Sequence, residues 1–261
     1  MPAEVLDLPT SVVITGASGG IGSALVARLL AAGVSVLASD LGTPQTAPIH
    51  PLLYWVAADL STFDGRKTLA EAVLQRYGSH GHHAPLGGFV HIAGIIDPVD
   101  WDAIDEAQID RIFSINLQAP FLLTRALLPI FSPDASVVLL GSVSALRASP
   151  KTPFYAASKA ALRNLGASMS MAWQSRGIRV NVVAPGLIDT PLTDALNERL
   201  AAERGIPVAQ VSAERAQAIP AGRPGTVEEV VSACVYFLSR QSSYCTGSTL
   251  HPTGGVMAGT I

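Results

Sequence analysis

The run Tyr155-Ala-Ala-Ser-Lys159 places a phenol and an ammonium four residues apart. On a helix that spacing puts both on one face, one turn apart. A nearby cation favours phenolate, so Lys159 is expected to lower the Tyr155 pKa toward working pH and to make the phenol a general acid/base. Ser142, thirteen residues earlier, follows an apolar run. A hydroxyl there can hold a substrate carbonyl or alcohol beside the phenol. Asn116 sits inside Phe113-Ser-Ile-Asn-Leu117. A polar Asn on an otherwise apolar helix needs a partner. It can bond a backbone carbonyl and hold a water, or it can serve as a purely structural hydrogen bond.

A second set of residues is suited to holding phosphate. Thr15-Gly-Ala-Ser-Gly-Gly-Ile-Gly22 follows the β-branched run Ser11-Val-Val-Ile14 and opens an amphipathic segment. In a strand–turn–helix context one glycine permits a tight turn, one admits a pyrophosphate to the backbone, and one lets helix and strand pack closely. The helix N-terminus adds free N–H groups and a positive dipole end. Gly16, Ser18, Gly20, Ile21 and Gly22 are the expected contacts. Asp40 closes Val36-Leu-Ala-Ser-Asp40, eighteen residues beyond Gly22. A carboxylate there can hydrogen-bond both ribose hydroxyls of an adenosine and would repel a 2′-phosphate. Position 19 is glycine rather than Lys or Arg, so no cation waits for such a phosphate. Both features favour NAD over NADP.

The elements that must position these groups can be read from periodicity. Strands are expected at 11–14, 34–38, 53–57, 88–92, 136–140, 178–183 and 248–251. Helices are expected at 21–32, 63–77, 106–128, 155–175 and 226–238. Strand and helix alternate, and the strands are near-continuously apolar. That pattern predicts an α/β fold, a doubly wound parallel sheet with helices on both faces. No Pro/Gly-rich linker divides residues 1–261, so a single domain is expected. Residues 41–51 contain three prolines and link two strands without an obvious helix. Residues 188–225 read as a long, polar, irregular segment at a strand end, where open α/β sheets bind ligands.

With these motifs in place, the chain resembles the short-chain dehydrogenase/reductase family over essentially its whole length. The resemblance rests on the glycine run 15–22, Asp59, Ala93-Gly94, Asn116, Ser142, Tyr155 with Lys159, the stretch Asn181 to Gly186 with Thr190, and Gly254-Gly255. It implies a Rossmann-like sheet of seven strands and hydride transfer to or from nicotinamide C4. It implies that Tyr155 is the acid/base, that Ser142 polarises the substrate oxygen, and that Lys159 also holds the nicotinamide ribose. Asn116 would anchor a proton-relaying water. Asp59 would meet the adenine amino group, Leu60 would supply a backbone N–H, and Ala93 and Gly94 would border the cofactor. Pro185, Gly186, Ile188 and Thr190 would border the nicotinamide. Helices 109–128 and 155–173 carry small and apolar faces that, in this family, pair across a two-fold, so a homotetramer or dimer is expected, with ordinary packing against the sheet as the other reading of those faces. The sequence departs from the family at His91-Ile92, where Asn-Asn is usual and braces the central sheet. His91 is expected to take over that bracing. Thr253 replaces a commoner Asp, and Gly141 replaces the first serine of a usual pair.

Composition narrows the partners. The 261 residues are 49% hydrophobic and 14% charged, a balance that calls for a large core rather than disorder. Net charge is −3 and no Lys/Arg block occurs, so no nucleic-acid surface is expected. The first ten residues lack a basic and an apolar region of the secretory kind, and no run is long enough to span a membrane. Cys234 and Cys245 lack metal-type spacing and read as reduced thiols of a cytoplasmic protein. Ser79-His-Gly-His-His83 reads as a solvated loop rather than a metal site, so no metal is expected.

The substrate is expected to be a small alcohol or ketone under a lid at 190–222. Leu187, Ile188, Leu192, Leu196 and Leu200 make that cover largely apolar, which suits a secondary alcohol or cyclic diol. The proline-rich link at 41–51 is similar to that of dihydrodiol-type dehydrogenases. NAD preference points toward the oxidative direction. Two rivals remain: an NADPH-dependent ketoreductase of the 3-oxoacyl type, and a dinucleotide-sensing protein without turnover.

Overall fold

The computed structural model of the protein describes residues 7–45, 47–78 and 85–258. The His-rich segment 79–83 lies outside the described residues. Seven strands form one sheet: β1 (Ser11–Thr15), β2 (Ser35–Asp40), β3 (Leu53–Ala57), β4 (Leu86–His91), β5 (Phe131–Leu140), β6 (Arg179–Val183) and β7 (Thr249–Leu250). Their order is β3-β2-β1-β4-β5-β6-β7 and every pairing is parallel. This is the expected Rossmann-like arrangement. β1 and β4 are buried along their whole lengths, which is why their sequences read as unbroken small and apolar runs rather than alternating ones.

Two apolar cores lie on opposite faces. On one, Val13, Leu37, Phe89 and Val137 of the sheet meet α2 (Phe63–Tyr77), α4 (Ala119–Leu127) and α5 (Pro153–Trp173) through Leu69, Leu123 and Leu162. On the other, Val12, Ile14, Val36 and Val138 meet α1 (Gly20–Ala31) and α8 (Val227–Leu238) through Leu25, Leu29, Val230 and Phe237. The chain leaves β1 toward the second face and leaves β4 toward the first. Their C-terminal ends therefore border the topological switch point, where open α/β sheets hold ligands. The start of α8 is fixed by a capping box, in which Thr226 and Glu229 satisfy each other's backbone N–H groups.

Two expectations need correction. The helix predicted over 106–128 is interrupted: α3 (Glu106–Phe113) and α4 flank a π turn, Ser114–Gln118. Pro120, at the start of α4, has no N–H to continue an α-helical ladder, and the backbone widens just before it. The segment 188–225 is not irregular. It folds into α6 (Pro191–Arg204) and α7 (Val208–Gln217). The signals for α6 were present. Thr190 caps its N-terminus by accepting from the Thr193 N–H, Pro191 occupies the first turn, and Gly205 ends it in the left-handed conformation. Polar composition masked them, because α6 and α7 bury few residues.

α1 packs onto the turn before it with no room at Gly22. A β-carbon there would lie 2.0 Å from the Gly16 carbonyl oxygen and 2.8 Å from the Ala17 α-carbon. Both are backbone atoms and cannot rotate away. Gly22→Ala is expected to lower stability by about 1–3 kcal/mol or more. A urea midpoint equal to that of the unmutated protein would show that the turn relaxes freely.

Candidate active site

A cleft of about 510 Å³ opens over the C-terminal ends of β1, β2 and β4. It is lined by Gly16, Ser18, Gly20, Ile21 and Gly22 of the glycine run, by Asp40, Asp59 and Leu60, and by Ala93, Gly94 and Thr190. The first turn of α1 has no capping side chain and no acidic residue, so its N–H groups face the cleft free. At Gly20 a β-carbon would meet only Thr190 and Pro191, at 3.5 Å or more. Nothing in the protein itself demands glycine there. The residues fit a dinucleotide whose pyrophosphate approaches that backbone at a helix N-terminus.

The Asp40 carboxylate is held in place at the lip. Its carboxylate accepts from the Ser18 N–H at 3.0 Å, from the Ser18 hydroxyl, and from the Leu41 N–H at 2.8 Å. Asp59 accepts from the Ser61 N–H and hydroxyl at 2.9 and 2.7 Å. Those bonds, aided by Arg111 and Arg66, hold its carboxyl below the usual range. Arg111 of α3 also lines the cleft and is the only cationic side chain among the described residues that do. The sequence reading missed it, because a lone arginine on a polar helix carries no motif.

The remaining candidates converge beneath and beside the cleft. Asn116 is fully buried in the π turn. Its amide nitrogen donates to the Ile95 carbonyl and to the Ser158 hydroxyl, each at 3.0 Å. Its amide oxygen accepts from the Ile95 N–H at 2.9 Å. Ser158 donates in turn to the Tyr155 carbonyl at 2.8 Å, so it ties Asn116 to the helix that carries the phenol. Ser158 was also missed, although it occupies the fourth position of Tyr155-Ala-Ala-Ser-Lys159. Lys159 donates to the Leu140 carbonyl at 2.7 Å, and its ammonium lies 5.8 Å from the centroid of the Tyr155 ring. Gly94 lies between the two polar groups: a β-carbon there would be 3.2 Å from Asn116 Oδ1 and 3.3 Å from Lys159 Nζ.

The electrostatics differ from expectation in one respect. Lys159 does not bring the Tyr155 phenol below its ordinary value. Burial pushes that pKa up, and a hydrogen bond from Ser142 to the ionised form opposes the rise. Burial also pushes Lys159 down to about 8. Desolvation thus sets the direction of both shifts.

The structure does not bring every candidate to the cleft. Pro185 and Gly186 serve as joints beside it. The Pro185 carbonyl accepts from Val143 N–H at 3.0 Å, and Gly186 N–H donates to the Pro252 carbonyl at 3.1 Å. Ile188 is buried and bridges Gly225, lining a separate cavity of about 150 Å³. Among the described residues no cluster of His, Cys, Asp or Glu could hold a metal, and no helix is long and apolar enough to cross a membrane.

His91 does brace the sheet. It is fully buried at the end of β4, with Nδ1 2.9 Å from the Thr15 hydroxyl of β1 and Nε2 3.3 Å from the Ile115 carbonyl of the π turn. Burial pushes its pKa down to about 3, and the Lys159 charge acts in the same sense.

A fold and cleft of this kind define a dinucleotide-dependent oxidoreductase. The profile described as enoyl-(acyl carrier protein) reductase matches residues 16–257. An uncharacterised oxidoreductase of Schizosaccharomyces pombe is 32% identical over 251 residues, covering 95% of this chain and 91% of the relative. A 3-oxoacyl-[acyl-carrier-protein] reductase of Thermotoga maritima is 30% identical, with 94% and 96% covered. A galactitol 2-dehydrogenase of Agrobacterium fabrum is 27% identical, with 93% and 95% covered. Among solved structures, a short-chain dehydrogenase family protein of Francisella tularensis superposes with a TM-score of 0.87 at 25% identity, covering 95% of this chain and 99% of that one. The aldohexose dehydrogenase of Thermoplasma acidophilum superposes with a TM-score of 0.83 at 27% identity, covering 97% and 94%. The chain belongs to the short-chain dehydrogenase/reductase family, whose members use a nicotinamide dinucleotide.

The buried imidazole gives a prediction for pH. In the unfolded chain His91 titrates near its ordinary value of 6.5, whereas in the folded chain it titrates near 3. Between those values only the unfolded state holds the proton, so stability falls as pH drops below 6.5. His91→Asn is expected to flatten that decline, by about 2 kcal/mol between pH 7 and pH 5. Denaturant midpoints of both proteins across that range provide the check, and parallel curves would place the acid sensitivity elsewhere.

Proposed function

We propose that this protein is an NAD-dependent dehydrogenase that interconverts a secondary alcohol, cyclic diols included, and its ketone. The observation that carries the reading is the meeting of Ser142, Tyr155, Lys159 and Asn116 beside a cleft whose lip holds a fixed Asp40 carboxylate. Bound nicotinamide supplies the hydride acceptor. Tyr155 takes the hydroxyl proton, and Ser142 holds the substrate oxygen beside it. Lys159 provides the positive charge near the phenol, and Asn116 secures the loop that lies under both. The same set would run in reverse toward the alcohol.

α6 starts at Pro191, with its cap Thr190 against the glycine run, and Leu192 lines the cleft. We read residues 188–225 as the substrate cover of a single catalytic domain. A homo-oligomer formed through α4 and α5 accords with half-buried Leu122, Ala126 and Ala161 and exposed Ala157, whereas Ala119 and Met169 of the same helices are buried in the core and pack against the sheet. A cytoplasmic location remains part of this reading.

A second reading, an NADPH-dependent ketoreductase, draws support from the relative named as a 3-oxoacyl-[acyl-carrier-protein] reductase. Asp40 favours the first. Its carboxylate already accepts three hydrogen bonds, which hold a negatively charged group at the lip of the cleft rather than a cation that could pair with a 2′-phosphate. Like charges so placed cost several kcal/mol, so kcat/KM with NAD is expected to exceed that with NADP by on the order of a hundredfold. Asp40→Ala should shrink the ratio at least tenfold. Equal turnover with the two dinucleotides in the unmutated protein would favour the ketoreductase.

Turnover is best sought with a panel of secondary alcohols and cyclic diols, followed by NADH absorbance. Because burial raises the Tyr155 pKa, alcohol oxidation by the phenolate should accelerate from neutral into alkaline pH. Tyr155→Phe should reduce kcat by a factor of about a hundred or more while NADH still binds. Retained turnover would remove Tyr155 from the acid/base role.

A further inference from the structure

The end of β4 meets the π turn at a carbonyl that the helix cannot satisfy. The Ala119 N–H donates to the Ser114 carbonyl, which sets the π register. The next residue is Pro120, which has no N–H. The Ile115 carbonyl therefore has lost both helical donors open to it, the i+4 group to Ser114 and the i+5 group to proline. A buried carbonyl in that position needs a donor from elsewhere. His91 Nε2 lies 3.3 Å from it. A carbonyl only accepts, so Nε2 carries the proton, and Nδ1 is left to accept from the Thr15 hydroxyl at 2.9 Å.

We propose that His91 is a positioning residue of the hydride-transfer site. Its Nε2–H caps the Ile115 carbonyl that Pro120 leaves without a helical donor, and so fixes Asn116 one residue further on. The inference rests on the reading of Asn116, Ser142, Tyr155 and Lys159 as the reacting set.

The connection is short. Asn116 holds Ile95 by two hydrogen bonds and Ser158 by a third. Residues 91–95 are thus pinned to the π turn at both ends, by His91 to Ile115 and by Ile95 to Asn116. Gly94, in the middle, abuts Asn116 Oδ1 and Lys159 Nζ. Slack in the first clamp would carry into the second and into the wall against which Lys159 rests. The surroundings keep the imidazole neutral. It faces the Thr15 hydroxyl from β1, the Ile115 carbonyl from the π turn, the Ala93 backbone two residues on, the Phe89 ring at 6.1 Å from its own strand, and the charge of Lys159 from α5. No carboxylate is among these groups to balance a second cation.

The test is a double-mutant cycle between His91 and Pro120. His91→Leu removes the donor, His91→Gln keeps an amide donor, and Pro120→Ala returns an N–H to the helix. Hydrogen exchange over residues 114–118 is read without substrate, NADH affinity by fluorescence, and kcat with NAD and the best alcohol of the panel. His91→Leu is expected to speed exchange and to lower kcat, each about tenfold, with NADH affinity changed less than about twofold. His91→Gln should recover most of the loss. In the Pro120→Ala background the effect of His91→Leu should shrink to about threefold or less. Equal effects in both backgrounds, or a kcat loss accompanied by no change in exchange, would overturn the proposal. Should His91→Leu fail to fold, the imidazole 15N spectrum of the unmutated protein decides. The Nε2–H tautomer throughout pH 5 to 9 supports the clamp; an Nδ1–H tautomer or an imidazolium at pH 6 overturns it. A protein that shows coupled exchange but oxidises no alcohol would refute the catalytic reading and leave the clamp supported.

Discussion

The site hangs on the pairing of Thr15 with His91, residues that face each other at the C-terminal ends of β1 and β4. Those ends lie side by side, yet the chain turns from one toward α1 on one face and from the other toward α3 and α4 on the opposite face. The crevice between the two departures is where a ligand can touch backbone. Its walls must be held apart but in register. The Thr15 carbonyl accepts from both Ile92 and Ala93 N–H groups at 3.1 Å, and its hydroxyl reaches His91. One residue of β1 therefore anchors the start of the glycine run and the start of the segment that wraps Asn116.

The same crowding that gives the crevice its shape governs its charges. Lys159 and His91 are both buried, and the pKa of each falls because the charged form loses water. Tyr155 shifts the other way for the same reason. The three shifts keep every one of these groups closer to neutral than it would be in water. A site built this way keeps one cation, Lys159, beneath the cleft beside a neutral imidazole and a neutral phenol, and places its carboxylates, Asp40 and Asp59, at the rim. Such an arrangement strengthens whatever charge develops on a bound reactant, because few mobile dipoles remain to screen it.

Much of this was legible in the sequence, and what was legible had a local cause. The strands could be read because parallel strands covered on both faces must be apolar throughout. The glycine run could be read because close backbone approach leaves no alternative residue, as Gly22 shows. α6 and α7 went unread because they are held by caps and by ion pairs such as Arg204 with Glu214 rather than by an apolar stripe. The π turn went unread because Pro120, its cause, reads locally as an ordinary first-turn proline, and the carbonyl it frees is met by a histidine nearly thirty residues earlier in the chain. Arg111 and Ser158 belong with these: each has a role only through a neighbour that the fold supplies. The wrong sign for Tyr155 came from weighing one nearby charge without the burial that accompanies it.

The departure at His91-Ile92 shows how a local substitution can be absorbed without loss of architecture. An amide braces neighbouring strands with one donor and one acceptor. A neutral imidazole offers the same pair, but on a rigid ring with the two nitrogens on separate edges. Here one edge meets β1 and the other meets the π turn, so the ring, carried on β4, braces strand to strand and sheet to helix at once. Ile92 needs no side-chain partner, because its own N–H is taken by Thr15. The brace thereby extends from the sheet to the turn that carries Asn116. In this chain the rigidity of the central strands and the placement of Asn116 depend on one buried, uncharged ring.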